Sequence, residues 1–206
     1  MSQHLKPSVE MLVRLSAVIA SRQIHKLSEH LDLVASQAAA VRVEEVILQS
    51  YLFLGYPMAL NVMALWRERV EPSPSVNLIE DRNCWVDRGE EICRSVYAGQ
   101  YDELREHIRR LHPDLEQWMV EEGYGKVLGR SGLSLVEREL CIVALLAVLD
   151  VPRQLYSHLR GALNVGAHVL EVTQALDIGL EYTEGAAAAR GWETWEAVRS
   201  RDAGGR

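Results

Sequence analysis

Apolar residues recur along this chain at intervals of three and four, the rhythm of a buried helical stripe, and the pattern predicts helix in nearly every segment. Pro7-Ser8 opens a run through Val9, Leu12, Val13, Ser16, Ala17, Ile19 and Ala20, and Ile24 to Ala39 continues it. Val43 to Leu54 is apolar almost all round and stops at Gly55, with Pro57 placed to start the next helix. Four helices are therefore expected by Arg69. Glu71-Pro72-Ser73-Pro74-Ser75 then breaks the rhythm with two prolines and small polar residues, which marks a linker.

Beyond the linker, Trp85 to Tyr97 and Tyr101 to Leu111 read as amphipathic helices, and His112-Pro113 starts a third that is expected to stop at Gly123. The glycine-rich stretch from Gly123 to Gly132 predicts a loop. Ser134 with Glu137 three residues later is a capping box, and the nearly all-apolar run from Leu140 to Leu149 predicts a central, buried helix. Asp150 with Pro152 starts the next helix, Gly166 ends it, and two more cover Val169 to Tyr182 and Thr183 to Ser200. The expected organisation is a helical unit over 1–70, a linker over 71–84, a second helical unit over 85–200 and a disordered tail over 201–206.

The two units share a register. With His30 laid on His158, Leu12 falls on Leu140, Leu27 on Leu155 and Leu31 on Leu159; after a two-residue slip, Tyr56 falls on Tyr182 and Trp66 on Trp192. A shared helical period alone aligns many apolar positions, but a matched histidine and tryptophan at one register point to duplication. The reading is an all-α bundle built from two degenerate repeats, neither of which buries its apolar face alone.

Composition narrows the function classes. The 206 residues are 48% hydrophobic and 25% charged, as in ordinary soluble globular chains. A formal charge of -7 disfavours a nucleic-acid partner, which calls for a basic face. No apolar run is read as approaching the roughly 20 residues of a membrane span, and Met1 to Pro7 lacks a secretory pattern, so the expected compartment is the cytoplasm. Cys84, Cys93 and Cys141 form neither a CxxC pair nor a metal-ligand spacing, and read as reduced thiols.

The chemistry-bearing residues cluster in the second unit. Arg88-Gly89-Glu90, Trp118 to Arg130 with its Gly-Tyr-Gly, Ser131-Gly132-Leu133, Glu137-Arg138-Glu139-Leu140 and His158 to Gly166 together resemble the carboxymuconolactone decarboxylase family, within the larger alkylhydroperoxidase D-like superfamily. Glu44-Glu45-Val46-Ile47-Leu48-Gln49 and Gly55-Tyr56-Pro57 in the first unit are similar to that family's helix and Gly-x-Pro turn. The resemblance implies an alkylhydroperoxidase D-like helical bundle that assembles into homo-oligomers, trimers or hexamers. The hydroperoxidase branch uses a Glu, a CxxC pair and a His; Glu139 and His158 keep the separation, but the cysteine positions hold Val151 and Gln154. Without a thiolate pair the thiol-peroxidase route is closed.

What the resemblance then implies is a decarboxylase, or a related lyase or isomerase, acting without a cofactor on a small cyclic carboxylate or lactone. Loss of carbon dioxide from a carboxylated unsaturated lactone leaves an extended enolate, which needs charge stabilisation and a proton donor. In that reading His158 is the general acid, Glu139 orients or charges it, Arg138, Arg160 or Arg130 anchors the carboxylate, and Gln154 and Tyr156 line the pocket. Glu181-Tyr182-Thr183 stands in the second unit where the family's Gly-x-Pro turn is expected, which implies an altered pocket. Two rivals stay open: His158 as a hydrogen-bonded packing residue in a non-catalytic oligomeric binding protein, and, ranked last, peroxide reduction. His30 faces Met11 where His158 faces Glu139, so the first copy reads as chemically empty.

Overall fold

Ser134 starts the helix around which the rest is arranged. Its hydroxyl accepts from the Glu137 N–H, and the Glu137 carboxylate accepts in turn from the Ser134 N–H at 2.9 Å, so two of the orphan donors at the helix start are satisfied. From there α7 (Leu135–Leu149) buries every residue from Arg138 to Ala147. Leu140, Ile142, Val143, Leu145 and Leu146 supply its apolar surface, each worth about 1.5–3 kcal/mol on removal from water.

The computed structural model describes residues 4–72 and 82–204, and among them there is no strand. α1 (Pro7–Ser21), α8 (Pro152–Asn164) and α9 (Val169–Leu180) pack directly on α7. α2 (Ile24–Gln37) and α3 (Ala40–Arg67) follow α1 and pack against it. α4 (Arg82–Tyr97) lies against α8, followed by α5 (Tyr101–Leu111) and α6 (Pro113–Trp118), while α10 (Ala186–Gly204) covers α8 and α9. Ser16 on α1 donates to the Cys141 carbonyl at 2.8 Å, tying the first helix to the central one.

The elements differ from the sequence expectation in four places. The glycine-rich stretch is helical as far as Leu128: α6 runs into a π-helix, Met119–Leu128, instead of ending at Gly123. Its glycine serves close packing, not a turn. A Cβ at Gly125 would sit 2.0 Å from the Trp85 carbonyl oxygen, and one at Gly89 on α4 would sit 2.1 Å from that of Val120, so the two backbones cross in direct contact. The Arg88 side chain seals the crossing by donating to the Gly125 carbonyl at 2.7 Å. Second, α10 continues to Gly204 and so takes in the first four residues of the tail expected over 201–206.

Third, part of the expected linker, residues 73–81, lies outside the described residues, and α4 already begins at Arg82. Fourth, α3 contains a segment long and apolar enough to cross a membrane by length and composition, contrary to the reading that no run came close. Gly55, at φ 78°, breaks that helix into two pieces, each shorter than the roughly 20 residues a span needs. The mean hydropathy of 1.3 with only 28% of the segment buried instead leaves an apolar outer face.

Candidate functional site

Glu139 and His158 converge as their spacing suggests. Glu139 sits among the buried residues of α7 with no exposure, and His158 on α8 is 7% exposed; Nδ1 of the imidazole lies 2.8 Å from Oε2 of the carboxylate. α8 can come this close because residue 161 has no side chain. A Cβ there would lie 2.9 Å from Glu139 Oε2 and 2.6 Å from Val96 Cγ1. Phe53, at the end of the first segment of α3, meets the imidazole edge to face at 6.0 Å between ring centroids.

The carboxylate is satisfied on one side only. Glu139 Oε1 is buried and has no hydrogen-bond partner among the described residues. Behind it, Tyr124 of the π-helix and Tyr97 of α4 join hydroxyls at 3.1 Å. Burial pushes both phenols above their ordinary range, and the Glu139 charge adds to the effect. Burial likewise pushes the Cys93 and Cys141 thiols up to about 12. Neither supplies a thiolate near neutral pH.

The arginines expected beside the pair go elsewhere. Arg138, adjacent to Glu139 in sequence, is fully buried and turns to α3. It donates to Glu45 at 2.8 Å, to the Gln49 side-chain oxygen at 3.2 Å and to the carbonyls of Arg130 and Ser131. Arg130 grips the same Glu45 from the surface at 2.9–3.1 Å. One buried carboxylate thus holds two guanidiniums and locks the start of α7 to α3.

Tyr156 and Arg160 each lie two residues from His158, which on an α-helix puts them on the opposite side of α8. There Arg160 bonds Gln100 and Arg201 donates to the Tyr156 hydroxyl at 3.2 Å. Gln154, four residues before His158, shares its face and is exposed. Of the expected substrate-binding residues it alone stands beside the pair along one helix face. Among the described residues no group of three or more His, Cys, Asp or Glu gathers in a way that could hold a metal ion.

Phe53, Gly161, Tyr97, Tyr124, Glu45 and Gln49 were given no role in the site from the sequence, although Glu45, Gln49, Tyr124 and Gly161 fall within the segments that carry the family resemblance. For Glu45 a signal existed: an acid and an amide four apart on an otherwise apolar helix must find partners when buried. His30, at the register of His158, bonds the backbone carbonyl of Met11 through Nε2 at 2.9 Å, and burial lowers its pKa.

Comparison with known proteins agrees with this picture. Residues 113–197, from the start of α6 into α10 and including Glu139 and His158, match the model of the carboxymuconolactone decarboxylase family. The chain is also 27% identical over 147 residues to Peroxisomal protein 2 of Schizosaccharomyces pombe (strain 972 / ATCC 24843), covering 69% of each chain. The match begins at Pro113, later than the Trp85 boundary expected from the sequence. Residues 113–197 are thus similar to the carboxymuconolactone decarboxylase family, and it is this segment that carries Glu139 and His158.

Proposed function

We propose that the protein is a decarboxylase, lyase or isomerase acting without a cofactor on a small cyclic carboxylate or lactone, with His158 as the acid/base and Glu139 as its partner. The observation that carries this reading is the buried 2.8 Å contact between Glu139 Oε2 and His158 Nδ1. With the Nδ1 proton directed at the carboxylate, Nε2 is left as the atom that exchanges a proton with the substrate. The carboxylate also stabilises the imidazolium that forms when His158 takes a proton up. General acid–base help of this kind contributes about 10²–10⁴-fold. Its role is to protonate the carbon of the enolate left when carbon dioxide departs. Since Arg138 and Arg130 are engaged by Glu45, we assign polar contact with the substrate to Gln154, on the same helix face as His158.

The test is carbon dioxide release from a panel of carboxylated unsaturated lactones and cyclic carboxylates. His158→Ala is expected to lose at least about 100-fold in kcat/KM while keeping the wild-type circular dichroism spectrum. Equal turnover by His158→Ala and wild type would remove the assignment. The depth of His158, at 7% exposure, favours one rival: a non-catalytic helical binding protein in which the pair is internal packing. That rival takes over if the wild type neither releases carbon dioxide from any panel member nor converts any to an isomer or elimination product. Peroxide reduction ranks behind both, because Cys93 and Cys141 are held as thiols.

A further inference from the structure

A concavity lies on the face of α3 away from His158. Phe53 reaches His158, and Tyr51, two positions earlier, points to nearly the opposite side of the helix. There a cavity of about 220 Å³ is lined by Ile47, Leu48, Tyr51, Leu60, Met63 and Val127 among others, with Lys126 and Arg130 at its edge. Leu48, Tyr56 and Leu60 are exposed at its mouth, so it opens to solvent. Its volume suits a guest of roughly ten non-hydrogen atoms.

Three features define the guest's chemistry. The Tyr51 and Tyr56 rings stand 4.9 Å apart, tilted by 34°, and give the cavity an aromatic wall. The Tyr51 hydroxyl is buried and makes no hydrogen bond of ordinary geometry among the described residues, its one polar neighbour being the Glu122 carboxylate in a weak contact. Burial, helped by the charge of Glu122 and by that contact, pushes the phenol up to about 12, so at neutral pH it is an O–H donor that a better-placed acceptor can engage. Both cations at the edge are already paired, Arg130 with Glu45 and Lys126 with Glu122 at 3.2 Å, so the cavity has no unengaged charge for an ionic guest.

We propose that this cavity binds a neutral, single-ring molecule bearing one carbonyl oxygen, with the ring against Tyr51 and Tyr56 and the oxygen accepting from the Tyr51 hydroxyl. The site is separate from the Glu139–His158 pair and does not depend on what that pair does. A buried hydroxyl without a well-formed hydrogen bond costs free energy that such an acceptor recovers, and a hydrocarbon of the same shape does not.

Acetophenone and ethylbenzene are the matched probes, titrated by calorimetry against the full chain. Wild type is expected to bind acetophenone saturably and more tightly than ethylbenzene. Tyr51→Phe is expected to weaken acetophenone about five-fold and leave ethylbenzene unchanged, and Ala59→Trp to abolish both. Absence of saturable binding by wild type overturns the proposal, as does a Tyr51→Phe protein with wild-type affinity for both probes. A third result also overturns it: sedimentation showing an oligomer that Leu60→Arg dissociates, with acetophenone binding only after dissociation, would assign the cavity to a second copy of the chain.

Discussion

Substituting Gly161 by Ala probes the Glu139–His158 pair without replacing either residue. The added methyl carbon meets Val96 Cγ1 at 2.6 Å and Glu139 Oε2 at 2.9 Å. Val96 is 1% exposed and β-branched, with little freedom to turn away, whereas the carboxylate is the end of a longer side chain. Relief therefore comes from rotating the Glu139 carboxylate, which breaks its contact with His158, or from moving α8 outward, which lengthens it. Overpacking of this kind costs about 1–3 kcal/mol, and the better helix propensity of Ala returns about 1 kcal/mol, so net destabilisation is about 0–2 kcal/mol. The site loses more than the fold does. The assay is the ¹H–¹⁵N spectrum of the imidazoles: the His158 Nδ1–H signal, protected in wild type by the carboxylate, is expected to broaden or vanish in Gly161→Ala. Gly99→Ala, where a Cβ meets nothing within 4 Å, serves as the control and keeps the signal. A Gly161→Ala protein with an unchanged Nδ1–H signal and denaturation midpoint would refute the argument that this glycine sets the pair.

Three further outcomes follow from the same structure. Glu45→Ala leaves the fully buried Arg138 without its carboxylate and is expected to cost about 3–5 kcal/mol in urea denaturation, whereas Arg130→Ala, with a half-exposed side chain, costs no more than about 1 kcal/mol; similar values for the two would disprove the ranking. Because burial lowers the pKa of His30 below that of the unfolded chain, its neutral form contributes stability above pH 6.5 that is lost as the pH falls through 6.5 toward the folded value. His30→Gln is thus expected to flatten the loss of stability between pH 7 and pH 5, and an unaltered pH profile contradicts this. In iodoacetamide labelling at pH 8, the exposed Cys84 reacts in the native protein while Cys93 and Cys141 react only after unfolding; native-state labelling of either buried thiol goes against their placement.

Local rules made most of the helices legible. The capping box at Ser134, the prolines at the starts of α1, α6 and α8, and the apolar run in α7 each act over one or two turns. The π-helix was not legible, because its glycines suggest a flexible loop until the Trp85 carbonyl of α4 is seen against Gly125 and the Val120 carbonyl against Gly89 of α4. The same division runs through the site. Spacing brought Glu139 and His158 together, but the direction of Arg138 depends on an acid 93 positions away on α3 that no local pattern links to it. Phe53 and Gly161 escape for a related reason: one acts through a contact between distant elements, the other through the absence of a side chain.

The two histidines at matching registers differ in what their imidazoles bond. His30 lies on α2 and His158 on α8, and each bonds a residue nineteen positions earlier on the helix before it. In the first unit the residue there is Met11, and the imidazole bonds only its backbone carbonyl, an acceptor that cannot take a charge. In the second it is a carboxylate, buried in the central helix, with a second oxygen left unpartnered. A carbonyl fixes a tautomer; a carboxylate also stabilises the protonated ring and so lets it give and take a proton. We propose that the correspondence is the trace of a duplication in which one copy kept the packing and the other the means for chemistry. On that proposal the difference between the copies lies in the single side chain opposite the histidine, not in the fold that presents it.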